Sequence, residues 1–121
     1  MDDAARLLPL TAQQFQILLS LTDGHRHGYG IIRDIADRTR GALRLRTGTL
    51  YTALARLVSL RLAEETDPRT RPADDDERRR YYRLTPLGRA ALSAETARLD
   101  ALVRDARRKG VVPTRQPALG K

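Results

Sequence analysis

The stretch Thr47-Gly48-Thr49-Leu50-Tyr51-Thr52-Ala53-Leu54-Ala55-Arg56-Leu57-Val58-Ser59-Leu60 sets Leu50, Leu54, Leu57 and Val58 at i, i+4, i+7 and i+8. That spacing predicts a helix whose apolar stripe faces a core. The other side carries Thr49, Thr52, Arg56 and Ser59, small polar and cationic groups that can enter a groove without steric conflict. Tyr51 stands at the boundary between the faces, and Arg44 and Arg46 flank the helix start.

Working toward the N-terminus, Gly41 separates this helix from a shorter one expected over Gly28 to Arg38, with Ile31, Ile32, Ile35 and Ala36 on one side. Before it, Thr11 and Gln14 have the spacing of a capping box, and Leu10 and Phe15 that of a hydrophobic staple. A first helix therefore starts at Thr11, carries Phe15, Ile17, Leu18 and Leu21 on its apolar side, and stops at Asp23-Gly24.

Toward the C-terminus, Leu62 to Thr66 and Arg79 to Leu84 read as two strands of a hairpin. The long tip between them holds two prolines and the acidic run Asp74, Asp75, Asp76 and Glu77. Alternation places Tyr82 and Leu84 on the core face and Tyr81 and Arg83 on the other. Thr85-Pro86 then opens a helix, threonine at the N-cap and proline at the first position. It is expected to run to about Lys109, roughly 36 Å at 1.5 Å per residue. Leu92, Leu99 and Ala106 recur every seven residues, joined by Leu102 and Val103, more apolar side than the neighbouring core needs. A partner helix is the expected cover, which makes these residues candidates for a homodimer seam. The expected organisation is a winged helix-turn-helix domain over 1–84, a dimerisation helix over 85–109 and a disordered tail over 110–121. The fold class is mainly α with a small two-stranded wing.

Composition narrows the function. The chain has 121 residues and a formal charge of +8, and 21 of its 23 basic residues are arginine. Such a balance favours a polyanionic partner. With no cysteine, a disulfide framework, a thiolate metal site and a cysteine nucleophile are excluded together. No apolar run approaches the roughly 20 residues of a membrane span. Asp2 and Asp3 stand where a signal peptide carries positive charge, so a cytoplasmic protein is expected, with no membrane association. His25 and His27 lack a third ligand nearby, and consecutive carboxylates at 74–77 lack the spaced oxygens of a calcium loop. No nucleophile, base and orienting acid fall into a recognisable motif, so neither an enzyme nor a cofactor or metal site is expected.

Several motifs together carry a family resemblance: Phe15-Gln-Ile-Leu-Leu, His27-Gly28-Tyr29, Gly48-Thr49-Leu50-Tyr51-Thr-Ala-Leu-Ala-Arg56-Leu57, and Arg79-Arg80-Tyr81-Tyr82-Arg83-Leu84-Thr85-Pro-Leu-Gly88-Arg89. In this order and spacing they resemble the PadR-like transcriptional regulators, specifically the smaller subfamily with one C-terminal helix. The resemblance covers about Leu10 to Leu102. It implies a homodimeric bacterial repressor that binds double-stranded DNA at a pseudo-palindromic operator and is often released by a small-molecule effector. By position, the Thr47–Leu60 helix is the recognition helix, and Tyr51 matches a tyrosine that contacts backbone phosphate. The chain departs from the family at Thr52, where proline or arginine is usual, at Gly30, where a charged residue is commoner, and at Arg61, where glycine commonly precedes the first wing strand.

The expected DNA-binding residues are Arg44, Arg46, Thr47, Thr49, Tyr51, Thr52 and Arg56 on and before the recognition helix, and Arg69, Arg71, Arg79 and Arg80 on the wing. Arg56 either holds a guanine edge or a phosphate. The acidic run is expected to point to solvent, away from DNA. An effector pocket, if present, is aliphatic and lined by Phe15, Leu18, Leu92 and Leu99. The alternative to a DNA-binding regulator is a winged-helix module that binds a protein and no specific DNA.

Overall fold

The computed structural model describes residues 3–66 and 80–112. Four helices surround a small sheet: α1 (Ala12–Ser20), α2 (Gly28–Arg38), α3 (Thr47–Ser59) and α4 (Pro86–Arg108), with strands β1 (Arg26–His27), β2 (Ala63–Glu65) and β3 (Tyr81–Leu84). A short 3-10 turn, Ala5–Leu7, precedes α1.

Three of these helices, α1, α2 and α4, begin where a side chain supplies an acceptor for the first amides. The Thr11 side chain accepts from the Gln14 amide at 3.0 Å, and the Gln14 side chain accepts from the Thr11 amide at 2.9 Å, completing the capping box. His27 Nδ1 accepts from the Gly30 amide, capping α2. Thr85 Oγ1 accepts from the Gly88 amide and donates to the Arg61 carbonyl, so one hydroxyl caps α4 and ties it to the end of α3. Only α3 lacks a side-chain cap: Arg46 stands at its N-cap without such a bond.

At their C-termini α2, α3 and α4 close in one way. The second residue past each helix takes a left-handed backbone, Arg40 at φ 54°, Arg61 at 65° and Gly110 at 84°. The amides of Arg40 and Gly41, of Arg61 and Leu62, and of Gly110 and Val111 turn back to the last-turn carbonyls. This is the Schellman closure, which glycine usually completes because it has no Cβ to clash.

The sheet order is β1-β3-β2, all antiparallel, so the hairpin expected as a two-stranded wing is part of a three-stranded sheet. The added strand is two residues long, Arg26 opposite Tyr82 and His27 opposite Tyr81, too short to show any periodicity. In the hairpin, Ala63 faces Leu84 and Glu64 faces Arg83. Tyr82 is buried and Leu84 half-buried, as alternation requires, while Arg83 points to solvent.

The core joins Ile17, Leu18 and Leu21 of α1, Ile31 and Ile35 of α2, Leu50, Leu54 and Leu57 of α3, Leu62 and Tyr82 of the sheet, and Ala91 and Leu92 of α4. Each such aliphatic side chain contributes about 1.5–3 kcal/mol of transfer free energy. The N-terminal half of α4 is therefore part of the same core as the winged domain. Its entry is tight: a Cβ on Gly88 would lie 2.0 Å from the Leu62 carbonyl oxygen. The last buried residue along α4 is Glu95, 2% exposed, whose carboxylate takes two bonds from Arg98 at 2.7 and 2.8 Å and one from the Leu10 backbone amide. The Arg98 bonds, ahead of burial acting the other way, hold this carboxyl below its ordinary value.

Candidate nucleic-acid interface

Burial of Leu45, Leu50, Leu54 and Leu57 fixes the rotation of α3 and leaves Thr47, Gly48, Thr49, Thr52 and Arg56 exposed on the opposite side. Thr49, Thr52 and Arg56 succeed one another at i, i+3 and i+7 along one face. The first turn is bare: nothing lies within 4 Å of a Cβ built on Gly48, and no side chain caps the leading amides. A helix start in that condition presents unpaired N–H groups and the positive end of the helix dipole.

Tyr51 is 39% exposed on the flank of α3. Its ring lies on the first residue of α2, where a Cβ on Gly28 would come within 2.2 Å of the phenolic oxygen. The tyrosine thus shares the two roles open to it, packed along the ring and solvent-facing at its exposed edge. Tyr81, half-buried at the start of β3, meets the His27 ring edge-on at 5.3 Å.

The cations divide into two sets. Arg38 bonds Asp34 at 2.9 Å, Arg83 bonds Glu64 at 2.7 Å, and Arg104 bonds Asp100 at 2.8 Å; Arg26 and Arg108 also have carboxylate partners. By contrast Arg40, Arg44, Arg46, Arg56 and Arg61 near α3, and Arg33, Arg89, Arg107 and Lys109 elsewhere, all exposed, have no acidic partner among the described residues. Arg44 folds back so that its guanidinium would lie 3.0 Å from a Cβ on Gly41. Arg80 lies 3.8 Å from Glu65, a loose pair on an exposed strand. Arg69, Arg71 and Arg79, and the acidic run 74–77, lie outside the described residues.

Behind the interface, α2 is pinned to α1 by Arg38, which donates to the Gln16 side chain at 2.6 Å, the Gln16 carbonyl at 3.1 Å and the Ser20 hydroxyl at 2.8 Å. Burial raises the Asp34 carboxyl, but bonds from Arg38 and Ser20 and the charges of Arg38 and Arg26 outweigh it and hold the group below its usual range. Sequence reasoning missed this network. Its only local trace is the i, i+4 spacing of Asp34 and Arg38.

On α4, Leu92 is buried in its own chain, whereas Leu99, Leu102 and Val103 are exposed, the last two to 51% and 47%. Ala106 is half-exposed on the same helix. The four residues expected to line an effector pocket do not meet in one cavity. Leu18 is sealed in the core, Phe15 packs half-buried against it, Leu99 is exposed, and only Leu92 edges an open groove, beside Leu19, Thr96 and Asp100.

Against known proteins, residues 17–94 match the family model described as the transcriptional regulator PadR-like family. The chain belongs to that family. Among relatives of this PadR-like protein, the transcriptional regulator Rv3488 of Mycobacterium tuberculosis is 33% identical over 96 residues, 78% of this chain and 81% of that one. A transcriptional regulator from Clostridium thermocellum superposes with a TM-score of 0.67 at 27% identity, covering 83% of this chain and 90% of that one. A PadR family transcription regulator from Clostridium difficile gives a TM-score of 0.65 at 25% identity, covering 79% of this chain and 95% of that one. This PadR-like chain is thus a transcriptional regulator with a winged-helix fold. The family match ends inside α4, ahead of the exposed Leu99, Leu102 and Val103. Among the described residues no helix is long and apolar enough to cross a membrane, and no three His, Asp or Glu side chains gather as metal ligands.

Proposed function

We propose that this regulator is a homodimeric repressor that places α3 in the major groove of a pseudo-palindromic operator. The observation that carries the reading is a bare helix start flanked by Arg44 and Arg46, both exposed and without acidic partners among the described residues, with Arg56, likewise unpaired, farther along the same exposed face. Thr49 and Thr52 face the base edges, while Thr47, Arg44, Arg46 and Tyr51 hold the phosphates that set the register. The wing adds contacts through Arg80 and, in the segment outside the described residues, Arg69, Arg71 and Arg79.

The exposed stripe of Leu99, Leu102, Val103 and Ala106 supports pairing of two α4 helices. Two recognition helices then meet half-sites about 34–36 Å apart. A small-molecule effector fits this arrangement where a second copy roofs the groove beside Leu92. The protein acts in the cytoplasm on this reading, where its DNA lies.

Anisotropy of fluorescent DNA from the region upstream of the protein's own coding sequence, beside a scrambled duplex, tests the proposal over a salt titration. The expected result is that the upstream duplex stays bound at physiological salt after the scrambled one has released. Release of both together leaves only the counterion term and favours a winged-helix module that binds a protein.

A further inference from the structure

We infer that the groove between the start of α1 and the outer face of α3 seats a DNA strand's phosphate backbone, with Gln13 and Arg56 as its two donors. The inference rests on the DNA-binding reading above and adds a wall that the recognition helix does not supply. The groove is lined by Thr11, Gln13 and Gln14 on one side and Thr49, Thr52 and Arg56 on the other. No carboxylate lines it. Neighbouring surface grooves differ in this respect, one holding Asp34 and Asp37, another Asp100.

Its donors are available. Arg56 has no acidic partner among the described residues, and the Gln13 amide forms no hydrogen bond there, whereas the Gln14 oxygen is taken by the capping box. A cation and a free amide without an acid make a cradle for an anion. Height along the helix selects which part of DNA fills it. Arg56 stands about 13 Å beyond Thr47 at 1.5 Å per residue, while the first turn of a recognition helix is the part that reaches base edges. The groove runs from the first turn of α3, at Thr49, out to Arg56, and with α1 as its far wall its Arg56 end lies at the rim, where the backbone runs. Arg56 is thereby a phosphate ligand that positions α3, and Gln13 is a second contact from a different helix.

Phosphate contacts act on every sequence alike, so short duplexes of several fixed sequences serve as probes. Gln13→Ala is expected to weaken all of them by about 3- to 10-fold, with the salt slope unchanged because no charge is lost. Gln13→Glu is expected to weaken them further, and Arg56→Ala to weaken them uniformly and reduce the log–log salt slope by about 0.9. Melting curves separate binding from folding. Ala favours the helix, and a Glu in the first turn of α1 suits its dipole, so Tm holds or rises in both Gln13 variants. Wild-type binding by both Gln13 variants, or an Arg56→Ala loss confined to substitutions at one base pair, overturns the seat while leaving the DNA reading standing. Absence of any salt-dependent duplex binding by the unaltered protein overturns both.

Discussion

Arg40 and Arg61 hold the left-handed positions that close α2 and α3, and they do so with side chains that such positions disfavour. A left-handed backbone costs an ordinary residue about 1–2 kcal/mol, and glycine in exchange loses about 0.5–1 kcal/mol in chain entropy. Arg61→Gly is therefore expected to stabilise the fold by about 0.5–1 kcal/mol, read as a raised urea midpoint at constant m-value. The departure from the family's commoner glycine at this point is local strain, offset in part by a cation at the negative end of the helix dipole. At Gly28 the neighbour is the mobile end of Tyr51, which can swing away. Gly28→Ala should then cost about 1 kcal/mol of stability yet displace the tyrosine from its seat. Weaker DNA binding with a nearly normal Tm is the expected pair of results, and unchanged affinity would mean that Tyr51 contributes through packing alone.

At the scale of elements, α4 depends on two features of its first three turns. Gly88 abuts backbone, the Leu62 carbonyl, which cannot step aside. Gly88→Ala is expected to destabilise by about 3 kcal/mol, the upper range for overpacking, measured by chemical denaturation. Glu95 is the other anchor. Because its folded carboxyl lies below the ordinary value of 4.5, its contribution is complete above that pH and fades as pH falls through the folded value. Glu95→Gln should lower stability at neutral pH by about 1–2 kcal/mol, and the gap between variant and parent should narrow in acid. A gap constant with pH would show that the charge of Glu95 is not what holds α4. The starts of α1 and α4 were legible because cap and apolar period agree there, Thr11 with Gln14 and Thr85 with Pro86, while α3 was legible from its Leu50, Leu54, Leu57 stripe alone. β1 was not, since two residues carry no alternation. Nor was the burial of Glu95, since an i, i+3 spacing to Arg98 is equally that of a solvent-exposed pair and only tertiary packing buries the carboxylate. Gln13 escaped for the same reason: only tertiary packing sets α1 beside Arg56.

For the whole molecule, the split between the halves of α4 is the feature on which the proposed pairing turns. Gly88, Ala91, Leu92 and Glu95 fasten the first half of α4 to the winged core, and beyond them Leu99, Leu102 and Val103 present apolar side chains to water. Leu102→Glu with Val103→Glu is expected to yield a monomer in sedimentation equilibrium and to weaken operator binding, while the near-wild-type circular dichroism of the winged part persists. A stable dimer in that variant would place the seam elsewhere. The outer half of α4 also has a bearing on dosage. On the proposed pairing of two α4 helices, assembly of the DNA-binding form is second-order in protein. The gene under its control would then answer to a threshold number of copies per cell rather than in simple proportion to them.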